Sequence, residues 1–181
     1  MNIHFYRGSK LSADDVLDSL ADFRDKNPRI VLKLEFFSFK DIFWSLTRKA
    51  YLLDLYTKYF TKSSHSPGCL IKAFDGGDLI GVICVTLGNE RFSFMAENDK
   101  QFGNVAVLQK YRGRNIAFGM MLYGLDKIYA ENYWYLVAES NHVSVRVAEK
   151  SGFSLVGYGC KVQKDGSMLG LGKYVLTTLE C

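Results

Sequence analysis

The sequence predicts an α+β or α/β fold with a mixed sheet. Three features indicate this class: helical patterns with capping signals, a hairpin signal at Asp75-Gly76-Gly77-Asp78, and an alternation of strands and helices after Gln101. At 181 residues the chain is long enough for one domain with a substantial core. We therefore expect a single domain over residues 1–181.

The first half of the chain is predicted to hold a strand, two helices and a hairpin. Asn27-Pro28 ends the first helix, because the residue before proline avoids the helical region. The second helix begins at a capping signal, Ser38-Phe39-Lys40-Asp41, and its apolar residues recur every three or four positions. Its polar face carries both signs of charge, which favours packing on a sheet over lying on a membrane. The predicted elements are the strand 2–7, the helices 12–26 and 38–60, and the strands 69–74 and 79–87.

The second half reads as alternating strands and helices. Before them, residues 88–103 are polar with an apolar patch at Phe92, Phe94 and Met95, which fits either a short strand or a substrate-facing loop. The predicted elements are the strand 101–108, the helix 115–129, the strand 133–138, the helix 143–151 and the strands 154–163 and 171–179.

Composition excludes several classes of protein. The net charge of +4 is mild and no basic stripe with interleaved aromatics is present, so we expect no nucleic-acid partner. No segment approaches 18 uncharged apolar residues and the start lacks a secretory pattern, which predicts a soluble cytoplasmic protein that does not enter a membrane. The four cysteines form no C-x-x-C pair and the three histidines lack ligand spacing, so we expect neither a disulfide framework nor a metal site.

A candidate phosphate-binding loop lies between a predicted strand and a predicted helix. Three cations, Lys110, Arg112 and Arg114, surround Gly113 at the point where the helix begins. A backbone N–H reaches a phosphate oxygen only where no side chain intervenes, and the positive end of the helix dipole attracts an anion. The alternative is an ordinary solvated turn in which Asn115 is an N-cap.

A second stretch, from Asn141 to Phe153, supports the interpretation of the loop as a phosphate-binding site. The order of strand, Arg-Gly-x-x-x-Ala loop, helix and strand, followed by Asn141-x-x-Ser144 and Glu149-Lys150-x-Gly152-Phe153, resembles the GCN5-related N-acetyltransferase (GNAT) family. The likeness is greatest to the branch that acetylates protein N-termini and amino sugars. It implies a single GNAT-like α+β domain of three layers, in which helices flank a central, mixed but mostly antiparallel, twisted sheet. Residues 101–163 would form an acetyl-CoA-binding core with splayed strands, and residues 1–100 mainly the acceptor side.

The resemblance also implies a site for acetyl-CoA. The loop would bind the pyrophosphate, and the strand before it would pair with the pantetheine arm and the thioester carbonyl. Asn141 would contact the cofactor near the pantetheine and Ser144 would face the same cleft, while Lys150 would either contact a phosphate or only offset its helix dipole. The implied cofactor-binding residues are Val105, Ala106, Val107, Arg112, Gly113, Arg114, Asn115, Ile116, Ala117, Asn141, Ser144 and Lys150.

Three positions depart from the family pattern. Asn115 replaces the usual second loop glycine, Ala148 replaces a tyrosine acid, and Gln101 replaces a glutamate base. Because an alanine cannot donate a proton and an amide does not usefully accept one, catalysis needs other groups. Candidates near in sequence are the bases Glu97, Asp99 and Glu90 and the donors Tyr158 and Tyr174, of which Glu97, Asp99 and Tyr158 are the predicted catalytic residues.

The function that these features favour is an acetyl-CoA-dependent N-acetyltransferase. It would move an acetyl group directly from the thioester to a primary amine of a small molecule, an amino sugar or a peptide N-terminus. Two alternatives remain open: a coenzyme A-binding sensor without turnover, and a structural domain without a cofactor. The expected partner is the amine or peptide acceptor, and exposed sheet ends make a homodimer possible.

Overall fold

The computed structural model describes residues 3–8, 13–42, 68–87, 92, 94–162 and 173–178. Eight strands and three α-helices lie within these residues. The predicted α+β class, mixed and mostly antiparallel with flanking helices, is confirmed. The elements are β1 (Ile3–Gly8), α1 (Ala13–Lys26), β2 (Ile30–Phe36), β3 (Cys69–Asp75), β4 (Asp78–Leu87), β5 (Lys100–Val107), α2 (Ile116–Lys127), β6 (Tyr133–Ala138), α3 (His142–Lys150), β7 (Ser154–Val162) and β8 (Lys173–Thr178).

Most predicted bounds agree with these elements to within two residues. The strand β2 was missed, although Leu32, Lys33, Leu34 and Glu35 alternate between apolar and charged as a strand does. At the predicted second helix, Phe39–Ile42 forms a short 3₁₀ helix, and the rest of that prediction lies outside the described residues.

The chain forms two compact units. Unit A comprises Leu11–Thr86 and Phe102–Tyr129, and unit B comprises Met1–Lys10, Leu87–Gln101 and Ala130–Cys181. The prediction of one domain over residues 1–181 stays a prediction, as does the splaying of strands at the cofactor site.

Unit A contains the strand order β2-β3-β4-β5 and the helices α1 and α2. The pairs β2–β3 and β3–β4 are antiparallel. The predicted hairpin joins β3 to β4, and its glycines Gly76 and Gly77 have φ of 60° and 100°. Since L side chains rarely adopt such angles, these two glycines explain why the chain reverses here.

The helices α1 and α2 pack against each other in unit A. Val16 and Leu20 of α1 are buried together with Leu122 of α2. Their contact is close because α2 has a glycine at Gly119: a Cβ there would lie 2.5 Å from the ring of Phe23. The helix that follows the candidate loop is thus held against α1 by tight packing.

A buried ion cluster joins β2, β3 and the 3₁₀ helix of unit A. Lys72 is 6% exposed and its Nζ lies 2.7 Å from Asp41 Oδ1 and 2.9 Å from Glu35 Oε2. Asp41 is fully buried, and its Oδ2 accepts hydrogen bonds from the N–H and hydroxyl of Ser38. Burial alone would lower the pKa of Lys72, but the hydrogen bonds and charges of both carboxylates outweigh it and raise the pKa above 10.5.

Unit B contains the strand order β6-β1-β7-β8 and the helix α3. The N-terminal strand β1 pairs antiparallel with both β6 and β7, and β7 pairs antiparallel with β8. The apolar patch of residues 88–103 lies in the core of this unit, where Phe92 and Met95 are buried against Trp134. Since core packing accounts for these side chains, they give no support to a substrate-facing loop.

No helix among the residues that the structure describes is long and apolar enough to cross a membrane. The same part of the chain brings no three His, Cys, Asp or Glu side chains together as a metal site would require.

Candidate functional site

The candidate loop of unit A connects β5 to α2. A 3₁₀ turn at Gln109–Tyr111 is followed by four exposed residues, 112–115, and α2 begins at Ile116. Gly113 has φ of 80° and Asn115 has φ of 58°, both in the left-handed region. Asparagine tolerates this region better than most residues, so the turn forms although Asn115 replaces the usual glycine.

The loop leads directly into α2, so its backbone lies at the N-terminus of that helix. The first intrahelical bond runs from the Gly119 N–H to the Asn115 carbonyl at 2.9 Å, so the N–H groups of Ile116 and Ala117 precede the helical ladder. A Cβ on Gly113 would meet no described atom within 4 Å. The glycine is therefore needed for its backbone angle rather than for space, and the loop surface around it is open.

Contacts within the chain orient the three loop cations. Arg112 Nε donates to the carbonyl of Val107 at 3.3 Å. Lys110 Nζ lies 5.1 Å and the Arg114 guanidinium carbon 5.5 Å from the centre of the Tyr111 ring, which are cation–π distances. Positive charge is thereby concentrated at a helix N-terminus, where the dipole also favours an anion.

The end of β5 is anchored next to this loop. The Leu108 N–H donates to the Ile80 carbonyl at 2.8 Å, and Ala106 packs against buried residues of β3 and β4, among them Leu70. The predicted pantetheine contacts of Val105, Ala106 and Val107 stay a prediction.

The predicted cofactor residues of unit B lie on α3. Asn141 is the N-cap, and its Oδ1 accepts a hydrogen bond from the Ser144 N–H at 3.2 Å. The Ser144 side chain hydrogen-bonds to Tyr135; burial raises the pKa of Tyr135, against a smaller lowering by this hydrogen bond. Lys150 is exposed in the last turn. These contacts account for the local structure, and the cofactor roles of Asn141, Ser144 and Lys150 stay predictions.

Asp99, a predicted catalytic base, is 1% exposed in unit B. Its Oδ1 accepts from the Asn132 N–H at 3.1 Å and from Asn132 Nδ2 at 2.9 Å. Its Oδ2 accepts from Trp134 Nε1 at 2.7 Å and from the Ala96 N–H at 3.1 Å. Four donors surround the carboxylate, which favours a structural role over proton transfer.

The other predicted catalytic residues are more accessible. Glu97 is exposed, and Tyr158 of β7 is 40% exposed with its ring edge-on to His4 at 4.8 Å. Near Tyr158, burial and the charge of Glu149 raise the pKa of Tyr6 above 10.0. Glu90 lies outside the described residues and Tyr174 belongs to β8.

The two departures from the family's proton chemistry have clear positions. Ala148 is fully buried on α3, and Gln101 is the second residue of β5. Neither position supplies an acid or a base.

Sequence reasoning missed the contact between Tyr111 and Asp75. Tyr111 hydroxyl donates to Asp75 Oδ2 at 3.0 Å. The two residues are 36 positions apart in the chain, so no local pattern joins them. An aromatic residue between two cations, Lys110 and Arg112, is the one sequence signal that draws attention to Tyr111.

Comparison with known proteins places these features in a family. Residues 36–153 match the acetyltransferase (GNAT) family. A GCN5-related N-acetyltransferase-like protein from Streptococcus suis has a similar structure, with a TM-score of 0.54 and 15% identity over 86% of this chain and 60% of that one. The glucosamine N-acetyltransferase region of a fungal multi-domain GH3 β-N-acetylglucosaminidase gives a TM-score of 0.57 and 15% identity over 87% of this chain and 20% of that one.

A tandem GNAT protein from the clavulanic acid biosynthesis pathway is also similar, with a TM-score of 0.54 and 16% identity over 85% of this chain and 50% of that one. At such identities the likeness shows the fold alone. The chain thus spans between about a fifth and three fifths of the length of these proteins. No curated protein matches it. Because the family match covers well over half of the 181 residues and includes both the candidate loop and all of α3, the chain belongs to the acetyltransferase (GNAT) family.

Proposed function

We propose that this chain binds acetyl-CoA through the loop at the N-terminus of α2 and transfers the acetyl group to a primary amine. The observation that carries the proposal is the loop itself: left-handed Gly113 and Asn115 present helix N–H groups next to three oriented cations. The family to which the chain belongs supplies the reaction class.

The chemistry of the loop fits the phosphates of coenzyme A. Arginine offers paired donors to phosphate oxygens, and backbone N–H groups at a helix N-terminus add neutral donors along the dipole. The exposed positions of Arg112 and Arg114 leave both guanidinium groups accessible. A diphosphate is thus matched in charge and in hydrogen-bonding capacity by residues that lie within eight positions of one another, from 110 to 117.

Acetyl-CoA supplies an activated thioester, so the protein's main tasks are to bind and align the two substrates and to remove one proton from the amine. An alkylammonium acceptor has a pKa of about 10.4 and must become neutral before it attacks a carbonyl. Of the predicted catalytic residues, Glu97 is exposed and is the proposed acceptor of that proton through water, and Tyr158 is the candidate donor. We assign no proton transfer to Asp99, because four hydrogen-bond donors already surround its carboxylate.

The proposed acceptors are a small-molecule amine, an amino sugar and a peptide N-terminus. The resemblance to the branch that acetylates such groups supports this range. One structural relative carries a glucosamine N-acetyltransferase region, which supports testing an amino sugar first.

Binding is tested by titration calorimetry with acetyl-CoA. We expect submillimolar affinity for the wild type and none for the double charge reversal Arg112→Glu and Arg114→Glu. The matched control is Arg24→Glu with Lys33→Glu, two exposed cations of α1 and β2 whose reversal changes the net charge equally. If the wild type does not bind, or if both double variants bind like the wild type, the cofactor assignment is wrong.

A coenzyme A-binding sensor is the second candidate, and a specific observation favours it. Ala148 is fully buried where the family pattern has a tyrosine, so α3 provides no acid at this position. A thiol has a pKa of about 8.5 and leaves as a thiolate with modest help, so the absence of that tyrosine does not by itself exclude turnover.

Thiol release separates the enzyme from the sensor. The assay combines acetyl-CoA with a panel of amines: a simple primary amine, glucosamine, and a peptide with a free N-terminus. The same peptide with a blocked N-terminus is the control. Release above the rate without amine supports the enzyme; tight binding with no release from any amine supports the sensor; absence of binding supports a structural domain.

A further inference from the structure

We propose that Tyr111 is a positioning residue that holds two loop cations in the arrangement that binds the phosphates of coenzyme A. This inference rests on the proposed function and adds a residue with no assigned role. Tyr111 itself is 8% exposed, so it acts through Lys110 and Arg114 rather than by touching the ligand.

The ring of Tyr111 contacts both cations. Lys110 Nζ lies 5.1 Å and the Arg114 guanidinium carbon 5.5 Å from the ring centre. Both cations are exposed, one before and one after the glycine turn. One aromatic ring thus contacts the charged side chains that lie on both sides of Gly113 in the sequence.

The ring is itself anchored to the body of unit A. Its hydroxyl donates to Asp75 Oδ2 at 3.0 Å, and Asp75 Oδ1 lies 3.1 Å from a terminal guanidinium nitrogen of Arg29. Asp75 ends β3 at the hairpin, so the anchor belongs to regular sheet structure rather than to the loop. Arg29, Asp75, Tyr111 and the two cations form one continuous chain of contacts within unit A.

This chain of contacts has a direct consequence for ligand affinity. Lysine and arginine have many rotamers, and a ligand that immobilises a free side chain must offset the lost entropy. Cations that already lie on a ring have lost part of that freedom before the ligand arrives. Phosphate binding is therefore expected to be stronger with the ring than without it.

A double-mutant cycle on the affinity for coenzyme A tests whether Tyr111 acts through Arg114. The four proteins are the wild type, Tyr111→Leu, Arg114→Met and the double variant, each titrated with coenzyme A by calorimetry. We expect Tyr111→Leu to weaken binding by about tenfold in the wild type and by about threefold once Arg114 is gone, because Lys110 still depends on the ring. Tyr129→Leu, at a 76% exposed tyrosine of unit A, is the matched control and should bind like the wild type.

A second series keeps the inference testable where Tyr111→Leu fails to fold. Phenylalanine and its mono-, di- and trifluorinated forms are placed at position 111; they preserve ring size while fluorine withdraws electron density from the face. We expect coenzyme A affinity to fall stepwise with fluorination at unchanged melting temperature. Purely structural packing by Tyr111 would give the same affinity throughout the series.

The outcomes separate this inference from the proposed function. If the wild type does not bind coenzyme A, both are wrong. If it binds and Arg114→Met weakens binding, but the effect of Tyr111→Leu is the same with and without Arg114, only the positioning role is overturned. Equal or tighter binding by the fluorinated proteins, or no effect of Arg114→Met, overturns it as well.

Discussion

The substitution Asp99→Asn is expected to destabilise unit B strongly, because the Asp99 carboxylate joins its own turn to the segment 132–134. It accepts from Ala96 just before it, from Asn132 before β6, and from Trp134 within β6. Only a group with two acceptor oxygens can serve these four donors at once.

The magnitude follows from the geometry. An asparagine whose oxygen replaces Oδ1 still accepts from the two Asn132 donors, but its NH₂ group then faces Trp134 Nε1 and the Ala96 N–H. Turning the amide around only exchanges which pair is lost. Two donors remain without an acceptor, at about 2 kcal/mol each, so we expect a loss of about 4 kcal/mol. That is a large part of the stability of an ordinary domain.

Urea unfolding followed by far-ultraviolet circular dichroism measures this loss. With a slope of about 2 kcal/mol per molar urea, the midpoint should fall by about 2 M. Glu97→Gln is the matched control: it removes an exposed carboxylate two positions away and should change stability by less than about 0.5 kcal/mol. The double variant Asp99→Asn with Trp134→Phe should recover part of the loss, because one of the two unpaired donors is gone.

The opposite pattern would refute a structural role. If Asp99→Asn keeps the urea midpoint of the wild type and loses acetyl transfer, Asp99 acts as a base despite its four donors.

Two further predictions concern buried titratable groups. Lys72→Met should cost about 3–5 kcal/mol in urea unfolding, because it leaves the fully buried Asp41 with an uncompensated charge; adding Asp41→Asn should restore part of that loss, and equal midpoints for wild type and Lys72→Met would contradict this account. Burial raises the pKa of Tyr135 above its ordinary 10.0, so its neutral form contributes stability that is complete below pH 10 and is lost as the pH rises through the higher folded pKa. Urea midpoints between pH 8 and 11.5 should therefore decline less steeply in Tyr135→Phe than in the wild type, and parallel curves would show that Tyr135 is not involved.

Local patterns in the sequence were sufficient for most of the fold. The proline after Asn27, the glycine pair at the hairpin and the alternation of Ile3 and Phe5 in β1 each act over a few neighbouring residues, so they can be read without knowing the partners. Local patterns were not sufficient for the strand β2. Its alternating residues lie between two helical signals, and they form a strand because they pair with β3.

The candidate loop was also accessible from the sequence. Gly113 and the cations on either side of it predicted a turn at a helix N-terminus, and the structure confirms that turn. The contact between Tyr111 and Asp75 could not be predicted, because nothing within the loop indicates which distant residue will meet the tyrosine hydroxyl.

What the sequence determined by itself was therefore the local architecture: helix limits, the hairpin, the loop conformation and the family. What only the tertiary structure decided was the use of particular side chains. From the sequence, Asp99 was predicted to be a base, but in the structure its carboxylate accepts hydrogen bonds from Ala96, Asn132 and Trp134. From the sequence, Tyr111 was only part of a turn, but in the structure its ring contacts two cations. The physical reason is that backbone conformation depends mainly on neighbours in the chain, whereas the role of a polar group depends on donors and charges that folding brings to it from far away.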